Sequence, residues 1–208
     1  MKGRMIGLML AVVVVLGAAS APAAPILSTW DDGTMNGWTF TGVSYGYWQV
    51  ALTGGNPNGW VQFYDTNSTY TADTLHAPAS YLGSYQPYLA DGWLEWDMLS
   101  GRAAAIGTTA TLAGPGGRAI YRSPVPGLAW SHVKVELKPQ YWTVSQGTWA
   151  GLMASVTDLN IVGDVVTGHG SVELGLDNFA LVTPEPISLT LLAAGLAGAC
   201  IRRRRVCV

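Results

Sequence analysis

The two longest predominantly apolar stretches of this 208-residue chain lie at its two ends, and each is tied to basic residues. Residues 5–16 follow Lys2 and Arg4, and residues 187–201 precede Arg202, Arg203, Arg204 and Arg205. A folded domain therefore has to be built from the stretch between them. That stretch lacks both cysteines, Cys200 and Cys207, so no disulfide can form within it. Packing and hydrogen bonds, or a bound ion, must hold it together, and at about 160 residues it is long enough to bury a core of its own.

Charged residues make up 12% of the chain and hydrophobic ones 49%, which excludes a charge-driven disordered chain and a long charged helical rod. Between residues 25 and 183, five basic residues (Arg102, Arg118, Arg122, Lys134 and Lys138) face twelve acidic ones, leaving −7. Gripping a phosphate backbone needs the opposite sign, so no nucleic-acid partner is expected.

The N-terminal run has the order of a secretory signal: a basic start, an apolar stretch, then small residues. Ala21-Pro22-Ala23 supplies an A-x-A site, so residues 1–23 are expected to be a signal peptide cut after Ala23. Twelve apolar residues span about 18 Å as a helix, too little for a lasting crossing of a ~30 Å hydrocarbon layer. The C-terminal end mirrors this order, with Pro184-Glu185-Pro186, an apolar segment at 187–201 and the arginines. Those arginines form a topology stop that stays on the cytoplasmic side. Triplet, short span and basic cluster in that order resemble the PEP-CTERM sorting signal of exported Gram-negative proteins, covering residues 184–205. The resemblance implies export through the general secretory machinery, a transient inner-membrane anchor at 187–201, and removal of the tail by an exosortase that reads Pro184, Glu185 and Pro186. The destination it implies is the cell surface or extracellular matrix. A plain single-pass anchor is the alternative.

Between the ends, short alternating segments are separated by Gly, Pro, Asn and Asp clusters, the pattern of antiparallel strands with one buried face. In residues 130–138, Val133, Val135 and Leu137 alternate with His132, Lys134, Glu136 and Lys138; in 93–98, Leu94, Trp96 and Met98 alternate with Trp93, Glu95 and Asp97. Further strands are expected at 38–40, 60–64, 118–121, 160–162 and 172–182. Trp149, Leu152, Met153 and Val156 share a helical stripe, which predicts one short helix. The expected fold is all-β: a jelly-roll-like antiparallel β-sandwich with one short helix, a single domain over residues 24–183.

Gly54-Gly55-Asn56-Pro57-Asn58-Gly59, Ala77-Pro78-Ala79 with Tyr81-Leu82-Gly83, Gly92-Trp93-Leu94-Glu95-Trp96-Asp97 and Gly175-Leu176-Asp177-Asn178-Phe179 follow one another in an order that resembles the laminin B (laminin domain IV) module. The resemblance spans residues 30–182 and implies an extracellular sandwich without catalytic activity. At Ile161-Val162-Gly163 the chain lacks the basic residue common in relatives, so no ligand contact is carried over there.

Three kinds of site are conceivable. Glu95 and Asp97 share a strand face about 7 Å apart, a separation compatible with an inverting glycosidase, and they carry the alternative of a secreted glycoside hydrolase. The three histidines, His76, His132 and His169, show no metal-ligand spacing and are expected on the surface. Asp31 and Asp32 open the domain and Asp177 precedes its last strand; with first and last strands adjacent, these carboxylates are candidate ligands of a structural Ca²⁺. An Asx-type turn at Asp31-Asp32-Gly33 is the simpler alternative. The abundant tyrosines suit stacking on sugar rings, and Tyr45, Tyr47, Tyr85 and Tyr88 are the candidate ligand-binding residues, with extracellular polysaccharide or an envelope protein as partner. Most tryptophans are expected in the core.

Overall fold

Period-two alternation becomes a two-layer sandwich because each strand has one apolar row to hide and only another such row can cover it. The computed structural model describes residues 25–42, 46–65, 73–104, 106–163, 165 and 171–183, with side chains from Leu174 onward in the last stretch. All of them belong to the unit Ala23–Pro184. The expected signal peptide, the Pro184-Glu185-Pro186 triplet, the 187–201 segment, Arg202 to Arg205, Tyr45 and His169 lie outside the described residues.

In chain order the strands are β1 (Ile26–Ser28), β2 (Thr39–Thr41), β3 (Gly46–Gly55), β4 (Asn58–Asp65), β5 (Thr74–His76) and β6 (Trp93–Leu99). They continue with β7 (Thr109–Gly114), β8 (Gly117–Arg122), β9 (Ser131–Glu136), β10 (Thr143–Gly147), β11 (Asp158–Val162) and β12 (Ser171–Val182). One sheet runs β3-β4-β12-β6-β9, with β1 paired to β12; the other runs β10-β8-β7-β11-β5-β2. Every strand pairing is antiparallel. The first and last strands are neighbours, as expected of a jelly roll.

The seven expected strands are all present, most of them a residue or two longer. β1, β3, β5, β7 and β10 are additional. β1, β5 and β10 are too short to show a period, while β3 and β7 are rich in Gly, Ala and Thr and carry little apolar contrast. The one α-helix among the described residues, α1 (Trp149–Ala154), starts at Thr148, whose hydroxyl accepts from the Gly151 N–H at 3.1 Å. Val156 lies past its end, buried and bridged to Gly83. Leu152 and Met153 seal the sandwich.

The core is aromatic. Trp38 meets Trp30, Tyr81 and Phe179 with ring centroids 5.9, 5.4 and 5.0 Å away, and Trp96 stacks on Phe179 at 5.5 Å. Tyr81 donates its hydroxyl to the Phe179 carbonyl at 2.7 Å, so the ring satisfies its polar tip inside the core. Six of the nine tryptophans are buried, which matches the expectation; Trp93, Trp130 and Trp149 reach solvent.

Asn178 adopts φ of +50°, and the pairing of β12 with β6 slips between Asp177 and Ala180. This bulge lets Leu176 and Phe179 both face the core while Asp177 turns to the other side.

Candidate functional site

The outer face of the first sheet gathers most of the polar chemistry. Register places Asp177 beside Asp97 and Asp97 beside His132; the next row holds Ala180, Glu95 and Lys134. The β3–β4 hairpin tip folds over this face. Asn56 donates its backbone N–H to Asp177 Oδ2 at 2.6 Å and its Nδ2 to Asp97 Oδ2 at 3.2 Å. Asn178 donates its own N–H to Asp177 Oδ1 at 2.7 Å and its Nδ2 to Asp97 Oδ2 at 2.8 Å and to the Asn56 carbonyl. His132 Nδ1 closes the network on Asp97 Oδ1 at 2.8 Å. Burial, helped by the negative charges of Asp31 and Asp97, pushes the Asp177 carboxyl up to about 6, although the Asn56 and Asn178 amides pull the other way.

Glu95 and Asp97 do share a face, as their spacing predicted. Between them stands His132, 3.7 Å from Glu95 Oε2 and bonded to Asp97. Glu95 also accepts from Trp93 Nε1 at 2.6 Å. Asp97 is only 7% exposed and saturated with donors. These carboxylates flank an imidazole on a sheet face.

Asp31, Asp32 and Asp177, the carboxylates expected around calcium, each accept hydrogen bonds from the chain. Asp32 Oδ1 accepts from the Thr34 N–H and hydroxyl, both at 2.9 Å, which is the Asx-type turn and holds its carboxyl below the usual range. Asp31 Oδ1 accepts from Gly59 N at 2.9 Å. Asp177 comes within electrostatic reach of Asp31, but its partner of closest register is Asp97, a residue the calcium reading did not include. Among the described residues no group of three or more His, Cys, Asp and Glu is placed to hold a metal ion.

Of the four expected ligand-facing tyrosines, Tyr85 and Tyr88 are corrected by the structure. Tyr85 is 1% exposed, donates to the Tyr81 carbonyl at 2.7 Å and packs on Tyr88, so their ring faces are spent on the core. Burial raises both phenols. Tyr47 is exposed, stacked on Tyr64 at 5.2 Å with 8° between planes. Tyr45 lies outside the described residues.

A second polar network lies on the outer face of the other sheet. His76 Nε2 meets Thr41 Oγ1 and its Nδ1 meets Asp158 Oδ1, each at 2.8 Å, and Asn160 donates to Asp158 Oδ2 at 2.6 Å. It ties together β2, β5 and β11.

A cleft of about 430 Å³ opens at the side of the sandwich, lined by Tyr121, Lys134, Val135, Glu136 and Tyr141. None of these residues stands out in the sequence as a binding residue. Tyr121 and Tyr141 lie 20 residues apart on different elements, and only the folding of the turn Pro139–Tyr141 beside β8 brings them to one space.

Residues 182–205 match the model of the PEP-CTERM protein-sorting motif. The chain carries that motif where the triplet, apolar segment and arginines predict it. No curated protein matches the chain. Among solved structures, CtCBM11 in solution superposes with a TM-score of 0.55 at 13% identity, covering 82% of this chain and 100% of that one. The family 11 carbohydrate-binding module from Clostridium thermocellum, in complex with a β-1,3-1,4-mixed-linked tetrasaccharide, gives 0.53 at 11% identity over 80% and 99%. An exo-β-agarase gives 0.54 at 8% identity over 76% of this chain and a quarter, 25%, of the enzyme. At such identities the likeness shows the fold alone, a β-sandwich of the carbohydrate-binding-module kind. Among the described residues no helix is long and apolar enough to cross a membrane, and the 187–201 segment lies outside them.

Proposed function

We propose that this chain is an exported, non-enzymatic polysaccharide-binding protein, handed to an exosortase through Pro184-Glu185-Pro186 and delivered to the cell surface or extracellular matrix of a Gram-negative bacterium. The observation that carries the reading is the superposition of the sandwich on a sugar-bound module over nearly that module's whole length. The sorting motif supports an extracellular place of work. The resemblance of residues 30–182 to the laminin B module is not supported: the sandwich superposes instead on carbohydrate-binding modules. The hydrolase alternative loses ground because His132 stands between Glu95 and Asp97 and bonds to Asp97.

Incubating the full-length chain with insoluble and soluble polysaccharides, then measuring both bound protein and reducing ends, tests this. The expected result is co-sedimentation or retardation with no release of reducing sugar. Release of sugar that stops in Glu95→Gln would replace binding by hydrolysis.

A further inference from the structure

We propose that the side cleft between β9, β8 and the turn Pro139–Tyr141 is a binding site for an uncharged glycan chain; the proposal rests on the polysaccharide-binding reading and assigns it a place and a ligand class. At about 430 Å³ the cleft falls within the ~300–1,000 Å³ common to small-ligand sites.

Lys134, Val135 and Glu136 line it as three consecutive strand residues, although the Val135 side chain is buried in the core. A strand presents consecutive residues to one space through its backbone edge, because its side chains alternate between faces. β9 is the end strand of its sheet and pairs with β6 on one side. Leu137 N donates toward that side, to the Gly92 carbonyl at 2.9 Å, while the Glu136 carbonyl turns the other way and accepts Trp142 Nε1 at 3.0 Å. The alternation of an antiparallel ladder puts the Lys134 N–H and C=O on the same outer edge as the Glu136 carbonyl. Fixed backbone donors and acceptors of this kind suit sugar hydroxyls.

The two tyrosines supply the apolar half of the recognition. Tyr121 is held by an edge contact to Trp96 at 6.1 Å and by Trp142 at 5.7 Å, so its ring is pre-positioned. Tyr141 is 50% exposed on a turn stiffened by the Tyr141 N–H bond to the Lys138 carbonyl, at 3.1 Å. Rigid, half-open rings with polar tips offer the faces of pyranose rings a surface at low entropic cost.

Charge decides the ligand class. The Lys134 ammonium rests 3.5 Å from the centroid of the Trp93 ring, and Glu136 is matched by Lys138 at 2.7 Å, which also lies 3.5 Å from Asp91. With one lysine and one glutamate in its lining, the cleft carries no net charge. The surrounding domain, with five basic against twelve acidic residues, repels polyanions.

Affinity electrophoresis of the full-length chain in gels holding β-1,3-1,4-mixed-linked glucan, agarose or alginate tests the assignment. Retardation by a neutral polymer and none by alginate is expected, and Tyr141→Ala is expected to weaken it about tenfold, while Phe40→Ala, at an exposed ring on the other sheet, leaves it unchanged. In the unaltered chain, the retarding polymer is expected to shield Tyr141 from nitration more than Tyr47, a readout independent of how the variant folds. Equal retardation of Tyr141→Ala and the parent, or equal nitration of the two tyrosines, overturns the cleft and leaves polysaccharide binding standing. Retardation by alginate alone overturns the neutral-ligand assignment. Retardation by none of the three overturns this site and the proposed function together.

Discussion

Asp177 concentrates the electrostatic tension of the molecule: a fully buried carboxyl beside Asp97 and Asp31, held by two backbone amides. Its folded value of about 6 lies above the ordinary 3.8, so the folded state binds the proton more tightly than the unfolded chain does. The stabilisation from that proton is complete below about pH 4 and is lost as the pH rises through 6. The melting midpoint is therefore expected to fall between pH 5 and pH 7.5, and the fall is expected to shrink in Asp177→Asn, with calorimetry as the measurement. An identical pH profile in the variant would place the titration elsewhere. The same carboxylates bear on calcium. Because amide and imidazole nitrogens already face Asp97 and Asp177, a cation would have to displace donors that satisfy them. Equal midpoints in calcium and in EDTA are expected, and a lower midpoint in EDTA would restore a structural ion.

At the scale of the element, β12 does the most. It pairs with β4, β6 and β1 and changes its side-chain parity at the Asp177–Asn178 bulge. Gly175 shows how tightly its outer face is used: a Cβ there would sit 2.3 Å from Trp60 Cζ3 and 2.6 Å from Cε3. Trp60 is pinned in turn by its Nε1 bond to the Thr53 carbonyl at 3.0 Å and by the edge of Trp130 at 5.4 Å. Gly175→Ala is thus expected to overpack the face and cost about 1–3 kcal/mol, read as a lower denaturation midpoint at unchanged m-value. A variant as stable as the parent would show that Trp60 can move freely. β9 behaves differently. It ends its sheet, and the charged and polar side chains of His132, Lys134 and Glu136 discourage pairing with a further strand, while its backbone edge opens on the cleft.

For the whole molecule, the sorting motif and the sandwich make separable predictions. Replacing Pro184, Glu185 and Pro186 by alanine is expected to leave a longer, membrane-retained form, detected by immunoblot of fractionated cells. The sandwich, whose strands all lie in Ala23–Pro184, is expected to keep its melting midpoint in that variant. Normal processing of the alanine variant would remove the exosortase reading without touching polysaccharide binding.

The sorting motif was readable without a fold, because an enzyme that recognises a short triplet, an apolar segment and a basic cluster reads sequence order directly. The sandwich was readable because β6, β9 and β12 each hide one row of residues, and period-two contrast survives in the chain as a local signal. Strands whose contrast is low, such as β7 with its alanines and threonines, gave no such signal. Burial of Tyr85 and Tyr88, the meeting of Asp97 with Asp177, and the joining of Tyr121, Tyr141 and Lys134 at one cleft depend on which strands become neighbours and in what register. Those are decisions of long-range packing, and local pattern holds no record of them. Tyrosine composition could point to ring stacking; only the tertiary structure selects which rings keep a face toward solvent.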